Sequence, residues 1–146
     1  MGLHALQHRG QEGAGIACTD EIKIYSEKGI GLVSDIFDKD KINKLHGNSA
    51  IGHVRYSTSG SKNLVNVQPI CVTSSAGEMA IAHNGNLTNA NKLKAKLENN
   101  GAIFQTNSDT EVIIHLISNS KKRKFVDRVI YALIYEMMDK FFLILK

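Results

Sequence analysis

The segment that most constrains the fold is Ala80-Ile81-Ala82-His83-Asn84-Gly85-Asn86-Leu87-Thr88-Asn89, an apolar run that breaks into a polar loop and then into a helical pattern. A short apolar run bounded by turn residues reads as a buried strand. Taken alone, Asn84-Gly85 is also the strongest short signal for a hairpin turn. A second run, Ala50-Ile51-Gly52-His53-Val54, has the same form and predicts a buried strand ending in Arg55-Tyr56-Ser57-Thr58-Ser59-Gly60. Two strands that each finish in polar side chains are the arrangement in which α/β and sandwich folds carry their sites.

The flanking segments fill in the architecture. Ile70 to Thr73 is placed to pair with Met79 to His83 across Ser74-Ser75-Ala76-Gly77. Upstream, Met1 to Gln7 reads as the tail of a helix, His8 to Gly15 as a glycine-rich loop, and Ile16–Thr19 with Ile22–Ser26 as a hairpin turned at Asp20-Glu21. Asp38 to Leu45 predicts a short helix before Gly47. Asn89 can cap a helix that carries Leu93 and Leu97 on one face and stops at Asn99-Asn100-Gly101. Ile103 to Gln105 is a candidate strand. Ser108 and Glu111 have capping-box spacing ahead of the apolar face Val112, Ile113, Leu116 and Ile117, which puts Asp109 in the first helical turn, where it complements the dipole. A last helix carries Val126, Val129, Ile130, Leu133, Ile134 and Met137 as one buried face, and Phe141 to Leu145 is a final strand.

Composition excludes several functions. With 146 residues, 42% hydrophobic and 22% charged, the chain is one globular domain large enough for a real core. No run of about 18 apolar residues offers a membrane span, and no signal peptide opens the chain, so a cytoplasmic protein without a membrane partner is expected. Much of the net charge of +4 sits in Lys121-Lys122-Arg123-Lys124. That cluster reads as a solvated loop between helices, and no aromatic residues interleave with it as nucleic-acid binding would require. Gly29-Ile30-Gly31 opens no βαβ unit and supports no nucleotide site. His4 and His8 stand four apart with no third ligand nearby, so no metal is expected. His53, His83 and His115 are interleaved with apolar residues and read as satisfied buried imidazoles. Cys18 and Cys71 read as packed thiols without an activating neighbour.

What remains is a set of binding groups without an attacker. Arg55 can hold a carboxylate, Asp109 an ammonium, and Asn84 with the Gly85 N–H an oxyanion. Together they describe a pocket for an α-amino acid whose side-chain carbonyl is attacked.

Four segments occur in a recognisable order: His8-Arg9-Gly10-Gln11-Glu12, Gly52-His53-Val54-Arg55-Tyr56-Ser57-Thr58, His83-Asn84-Gly85-Asn86-Leu87 and Ser108-Asp109-Thr110-Glu111. In order and spacing they resemble the class II glutamine amidotransferases. His8 to Glu12, with Lys28-Gly29-Ile30-Gly31-Leu32-Val33-Ser34, is most similar to the branch whose second domain is a phosphoribosyltransferase. The resemblance implies an α+β N-terminal-nucleophile hydrolase, a four-layer α/β/β/α sandwich of two antiparallel sheets. In such an enzyme an N-terminal Cys attacks glutamine, with its own α-amine, of reference pKa about 7.7–8.0, as the base. By the same resemblance Arg55 holds the substrate carboxylate, Asp109 its α-amino group, and Asn84 and Gly85 the oxyanion. Arg9 and Gly10 lie beside the nucleophile, and Tyr56 and Thr58 near the substrate. The ammonia then passes to the second domain, which makes phosphoribosylamine from phosphoribosyl pyrophosphate in purine synthesis. Any Mg2+ belongs to that domain, and a homo-oligomer is compatible with the family.

The chain departs from the family pattern at three places. The initial Cys-Gly-hydrophobic strand and the phosphoribosyltransferase domain are absent, and Asp139-Lys140-Phe141-Phe142 replaces a Gly-Ala-aromatic entry to a strand. Residues 1–146 are therefore expected to be one partial glutaminase domain, inactive alone, with exposed sheet edges that lower stability or promote association. Two alternatives stand beside this expectation. One is a non-catalytic glutamine- or partner-binding module, and the other is the glutaminase domain of another class II amidotransferase.

Overall fold

The computed structural model describes residues 2–56, 63–74, 77–136 and 142–145. Its first sheet is built on β1 (Gly13–Thr19), which lies between β2 (Ile24–Ile30) and β3 (Ser49–Arg55), antiparallel to both. β1 begins within the glycine-rich stretch expected to be a loop. The reason is close approach: a Cβ at Gly15 would sit 2.4 Å from the Gln68 carbonyl oxygen, so only glycine lets this strand lie against the next segment. The β1–β2 turn forms as expected, with Asp20 Oδ1 accepting from the Ile22 and Lys23 N–H groups at 3.0 and 2.8 Å. β2 starts two residues later than the expected Ile22.

The second sheet has the order β4 (Ile70–Ser74), β5 (Gly77–His83) and β6 (Phe142–Leu145), again antiparallel. Ile70 pairs with Ile81 and Leu143 with Ala82, so β5 has a neighbour on each side. His83-Asn84-Gly85 therefore leaves the sheet toward α4 (Ala90–Asn99) and makes no hairpin, which corrects the turn expected from Asn-Gly alone.

Helices cover the outer faces. On the first sheet α1 (Gly2–Ala5) and α2 (Val33–Ile36) pack through Leu3 over Gly52 and Ile36 over Gly29. On the second, α5 (Thr110–Asn119) packs on β4 and β5, flanked by α4 and α6 (Phe125–Glu136). Between the layers β2 and β3 meet β5, and β1 and β3 meet β6. The four-layer α/β/β/α sandwich of two antiparallel sheets is thus the observed fold. α3 (Lys39–Asn43) is the short helix expected before Gly47, capped by Asp38, whose Oδ1 accepts from the Lys41 N–H at 2.8 Å.

The main core lies between the second sheet and its helices, with Ile70, Met79 and Ile81 packed against Leu93, Leu97, Val112, Ile113, Leu116 and Ile117. Between the sheets the packing is thin: Ala17, Ile51, Ala80 and Ala82.

Several expectations fail locally. In β3 only Ile51 is buried, because the strand is an edge of its sheet. Ile103 to Gln105 forms no strand. Its chain is held by the buried Glu111 carboxylate, which accepts from the Gln105 and Thr106 N–H groups at 2.8 and 2.7 Å. The same bonds replace the expected capping box, since Glu111 reaches back past Ser108 and the Ser108 N–H donates to Thr106 Oγ1. On α6, Ala132 is buried while Val126 is 63% exposed, so the buried face is narrower than the apolar pattern. Met137 and Phe141 lie outside the described residues. Cys71 is exposed, not packed. Lys121 to Lys124 are exposed between α5 and α6, as expected.

Candidate active site

The site is built where β3 and β5 end. Arg55 closes β3 opposite Gly13 of β1, and its carbonyl accepts from the Glu12 N–H at 3.2 Å. Gly10 lies directly on this backbone, since a Cβ there would stand 2.5 Å from the Arg55 carbonyl carbon and oxygen. The Arg9-Gly10 pair is thereby brought beside Arg55, with Arg9 exposed at the end of the 3-10 turn Gln7–Arg9. The Arg55 guanidinium donates through Nη1 to the Asn63 carbonyl at 3.2 Å. Tyr56 follows at 73% exposure, and Thr58 lies outside the described residues.

Asp109 comes to the end of β5 from α5. Its Oδ2 accepts from the Leu87 N–H at 2.6 Å, and its Oδ1 lies 3.8 Å from His83 Nδ1. The carboxylate makes no capping hydrogen bond to its own helix. Its role is to tie the start of α5 to the loop after β5, beyond the expected complement to the dipole. Between these anchors Asn84 and Gly85 are exposed, and no hydrogen bond occupies the Asn84 amide or the Gly85 N–H among the described residues. A carboxylate tied to the loop backbone, a free side-chain amide and a free backbone donor thus stand close to one another at the end of β5.

His53 pairs with Gly15 two residues before Arg55 on the same face of β3. Desolvation, with His83 and Arg55 nearby, pushes its imidazole down to about 4. It is neutral at physiological pH, and its Nδ1 is buried without a hydrogen-bond partner, contrary to the satisfied imidazole expected. His115 packs on Phe104 with ring centroids 4.4 Å apart.

Neither cysteine reaches this place. Cys18 donates to the His46 carbonyl at 3.1 Å, its thiol raised by burial and by Asp20. It sits five residues along β1 from the Gly13–Arg55 pair, about 17 Å away at strand rise. Cys71 is exposed on β4 and starts no chain. Among the described residues no three His, Cys, Asp or Glu side chains are grouped to hold a metal, and no helix is long and apolar enough to cross a membrane.

Sequence reasoning missed two residues that shape the site, Gln68 and Asn66, and gave Glu111 a capping role where it holds the Gln105 and Thr106 N–H groups. Gln68 pairs with the His83 main chain, accepting from its N–H at 2.7 Å and donating to its carbonyl at 3.3 Å. Asn66 Oδ1 accepts from the Asn107 N–H at 3.2 Å. The available signal was polar residues beside the single proline, Pro69, in a stretch that ends in apolar Ile70.

Known proteins are similar to this chain in sequence and fold. The chain is 51% identical over 149 residues to a chloroplastic amidophosphoribosyltransferase of Vigna aconitifolia, a match covering 96% of this chain and 31% of that one. It is 53% identical over 129 residues to the amidophosphoribosyltransferase of Bacillus subtilis, covering 88% and 27%. A solved structure described as the allosteric regulatory enzyme of purine biosynthesis superposes with a TM-score of 0.93 at 50% identity, over 99% of this chain and 31% of that one. The chain thus spans about a third of the length of these relatives, and its similarity is to their glutamine amidotransferase part. Residues 53–142, from His53 beside Arg55 through the Asn84-Gly85 loop and Asp109 to β6, match the model of the glutamine amidotransferase domain, and the chain belongs to that family.

Proposed function

We propose that this chain binds glutamine and holds its side-chain amide for hydrolysis, as the ammonia-producing part of an amidophosphoribosyltransferase. The observation that carries the reading is the 2.6 Å bond from the Leu87 N–H to Asp109 Oδ2, which fastens an ammonium-binding carboxylate to the loop bearing Asn84 and Gly85. In this reading the Arg55 guanidinium holds the substrate carboxylate and Asp109 its α-ammonium. Asn84 and the Gly85 N–H face the carbonyl oxygen as it gains charge on attack. Arg9 and Gly10 lie beside the attacking group, and Tyr56 and Thr58 border the substrate. Arg55 and Asp109 bind the ground state, whereas Asn84 and Gly85 act on the tetrahedral intermediate.

The attacking thiol carries its own α-amine as base, with a thioester as the first product and ammonia as the leaving group. Cys18 and Cys71 lie within strands, so their nitrogens are peptide nitrogens without basicity. The reading extends to residues 1–146 as one partial domain. Its partners are a phosphoribosyltransferase domain that takes the ammonia to phosphoribosyl pyrophosphate, and a second copy in a homo-oligomer. Any Mg2+ serves that transferase domain, and the glutaminase chemistry uses none. Two unbridged thiols support a reducing compartment such as the cytoplasm.

Calorimetry tests the pocket. The 146-residue chain should bind glutamine without releasing ammonia, and Arg55→Ala should weaken binding by about 10- to 100-fold, the value of a charge-assisted pair. Absence of glutamine binding overturns the reading, and ammonia release by this chain overturns the assignment of the nucleophile. A second reading, a glutamine-binding module without catalysis, is favoured by the place of both thiols inside strands, Cys18 within β1 and Cys71 within β4. It prevails if glutamine is bound but no ammonia forms after a Cys-Gly-Ile segment is joined upstream.

A further inference from the structure

Asn66, Val67 and Gln68 form a buried segment that the binding roles above leave unused, yet each of the three holds a different part of the molecule. The Asn66 side chain takes the Asn107 N–H, two residues before Asp109. The Val67 carbonyl accepts from Lys28 Nζ at 3.0 Å, which anchors the segment to β2. The Gln68 amide makes both main-chain bonds of His83, the residue before Asn84. A planar primary amide offers one donor and one acceptor side by side, as a peptide group does, so Gln68 continues the sheet pattern where the strand would otherwise end. Gly13 and Gly15 remove the room for any shift, since a Cβ at Gly13 would meet Val67 Cγ2 at 2.9 Å and one at Gly15 would meet the Gln68 carbonyl.

Resting on the glutamine-binding reading above, we infer that Gln68 is a positioning residue. Its side chain fixes the His83 backbone and so sets where the Asn84 and Gly85 donors stand, while Asn66 sets the approach to Asp109. The two polar loops of the site therefore take their separation from one strap of three residues. Neither Gln68 nor Asn66 needs to touch glutamine for its loss to be felt in binding.

Amide hydrogen exchange and calorimetry on the 146-residue chain test this. In Gln68→Ala, exchange of the His83 and Leu87 N–H groups should rise by about tenfold or more while Ala17 and Ile113 stay as in the parent, and the glutamine Kd should rise by about 5- to 30-fold. Gln68→Glu keeps the acceptor for the His83 N–H but turns a second oxygen toward the His83 carbonyl, so His83 exchange should fall between that of the parent and that of Gln68→Ala. Asn66→Ala should speed exchange at Asn107 alone and weaken glutamine by a smaller factor. If Gln68→Ala does not fold, Gln68→Glu and Asn66→Ala carry the test. Unchanged exchange at His83, or exchange that rises equally in β1 and α5, overturns the inference, as does an unaltered glutamine Kd. A parent chain that binds no glutamine would overturn the proposed function instead, and the strap is then judged by whether the faster exchange is confined to the two loops.

Discussion

The two faces of β5 make unlike interiors. Met79 and Ile81 point toward the helices and are 1% and 0% exposed, whereas Ala80 and Ala82 point toward the other sheet. On the helix side, long aliphatic chains from β4, α4 and α5 fill the space, each worth about 1.5–3 kcal/mol on burial. On the sheet side small side chains let main chains come close, and polar groups take part in the contact. Glu78 Oε2 accepts from the Ile24 N–H of β2 at 2.7 Å, and His53 stands before Arg55 on this layer. Stability is thus concentrated in one layer and the candidate site lies at the end of the other, so either can be altered with limited effect on its neighbour.

This contrast can be broken by substitution. Ile81→Ala should cost about 3–4 kcal/mol in urea unfolding, because it leaves a cavity among rigid neighbours. Ala80→Leu adds volume where the sheets meet and should cost up to about 3 kcal/mol, with β2 and β3 displaced from β5. If Ala80→Leu costs less than about 0.5 kcal/mol, the thin layer has slack and the contrast is lost. The pH dependence sharpens it further. His53 has a folded value of about 4 and an ordinary value near 6.5, so the unfolded chain binds the extra proton between these values. Stability from this group is complete above pH 6.5 and falls as pH drops toward 4, by about 3 kcal/mol, and His53→Leu should flatten that slope. The smallest effect is on the outer side of α6, where Val126→Ser should stay within about 0.5 kcal/mol.

The parts legible in the sequence were those with period and punctuation. α4 and α5 followed from apolar spacing, α3 from Asp38, and the β4–β5 pair from two apolar runs around a small-residue turn. The proposed binding groups Arg55, Asn84, Gly85 and Asp109 were legible because each stands where an apolar run ends or a helix starts. β1 was partly hidden, because glycine signals a loop locally and close packing globally, and only the tertiary approach of Gln68 decides between them. The missed strap was hidden for a related reason. An amide that imitates a peptide group leaves no spacing rule in the chain, and its partner His83 lies 15 residues away.

Glu111 limits which sequences this fold will accept. Two N–H groups, of Gln105 and Thr106, end on its two oxygens. Glutamine has the same length and nearly the same shape, yet its amide offers a single acceptor and would turn a donor toward another donor. A one-letter change that looks neutral in any table of similarity is therefore forbidden here. The irregular stretch from Gln105 to Asp109 keeps its course because of a charge two residues beyond it.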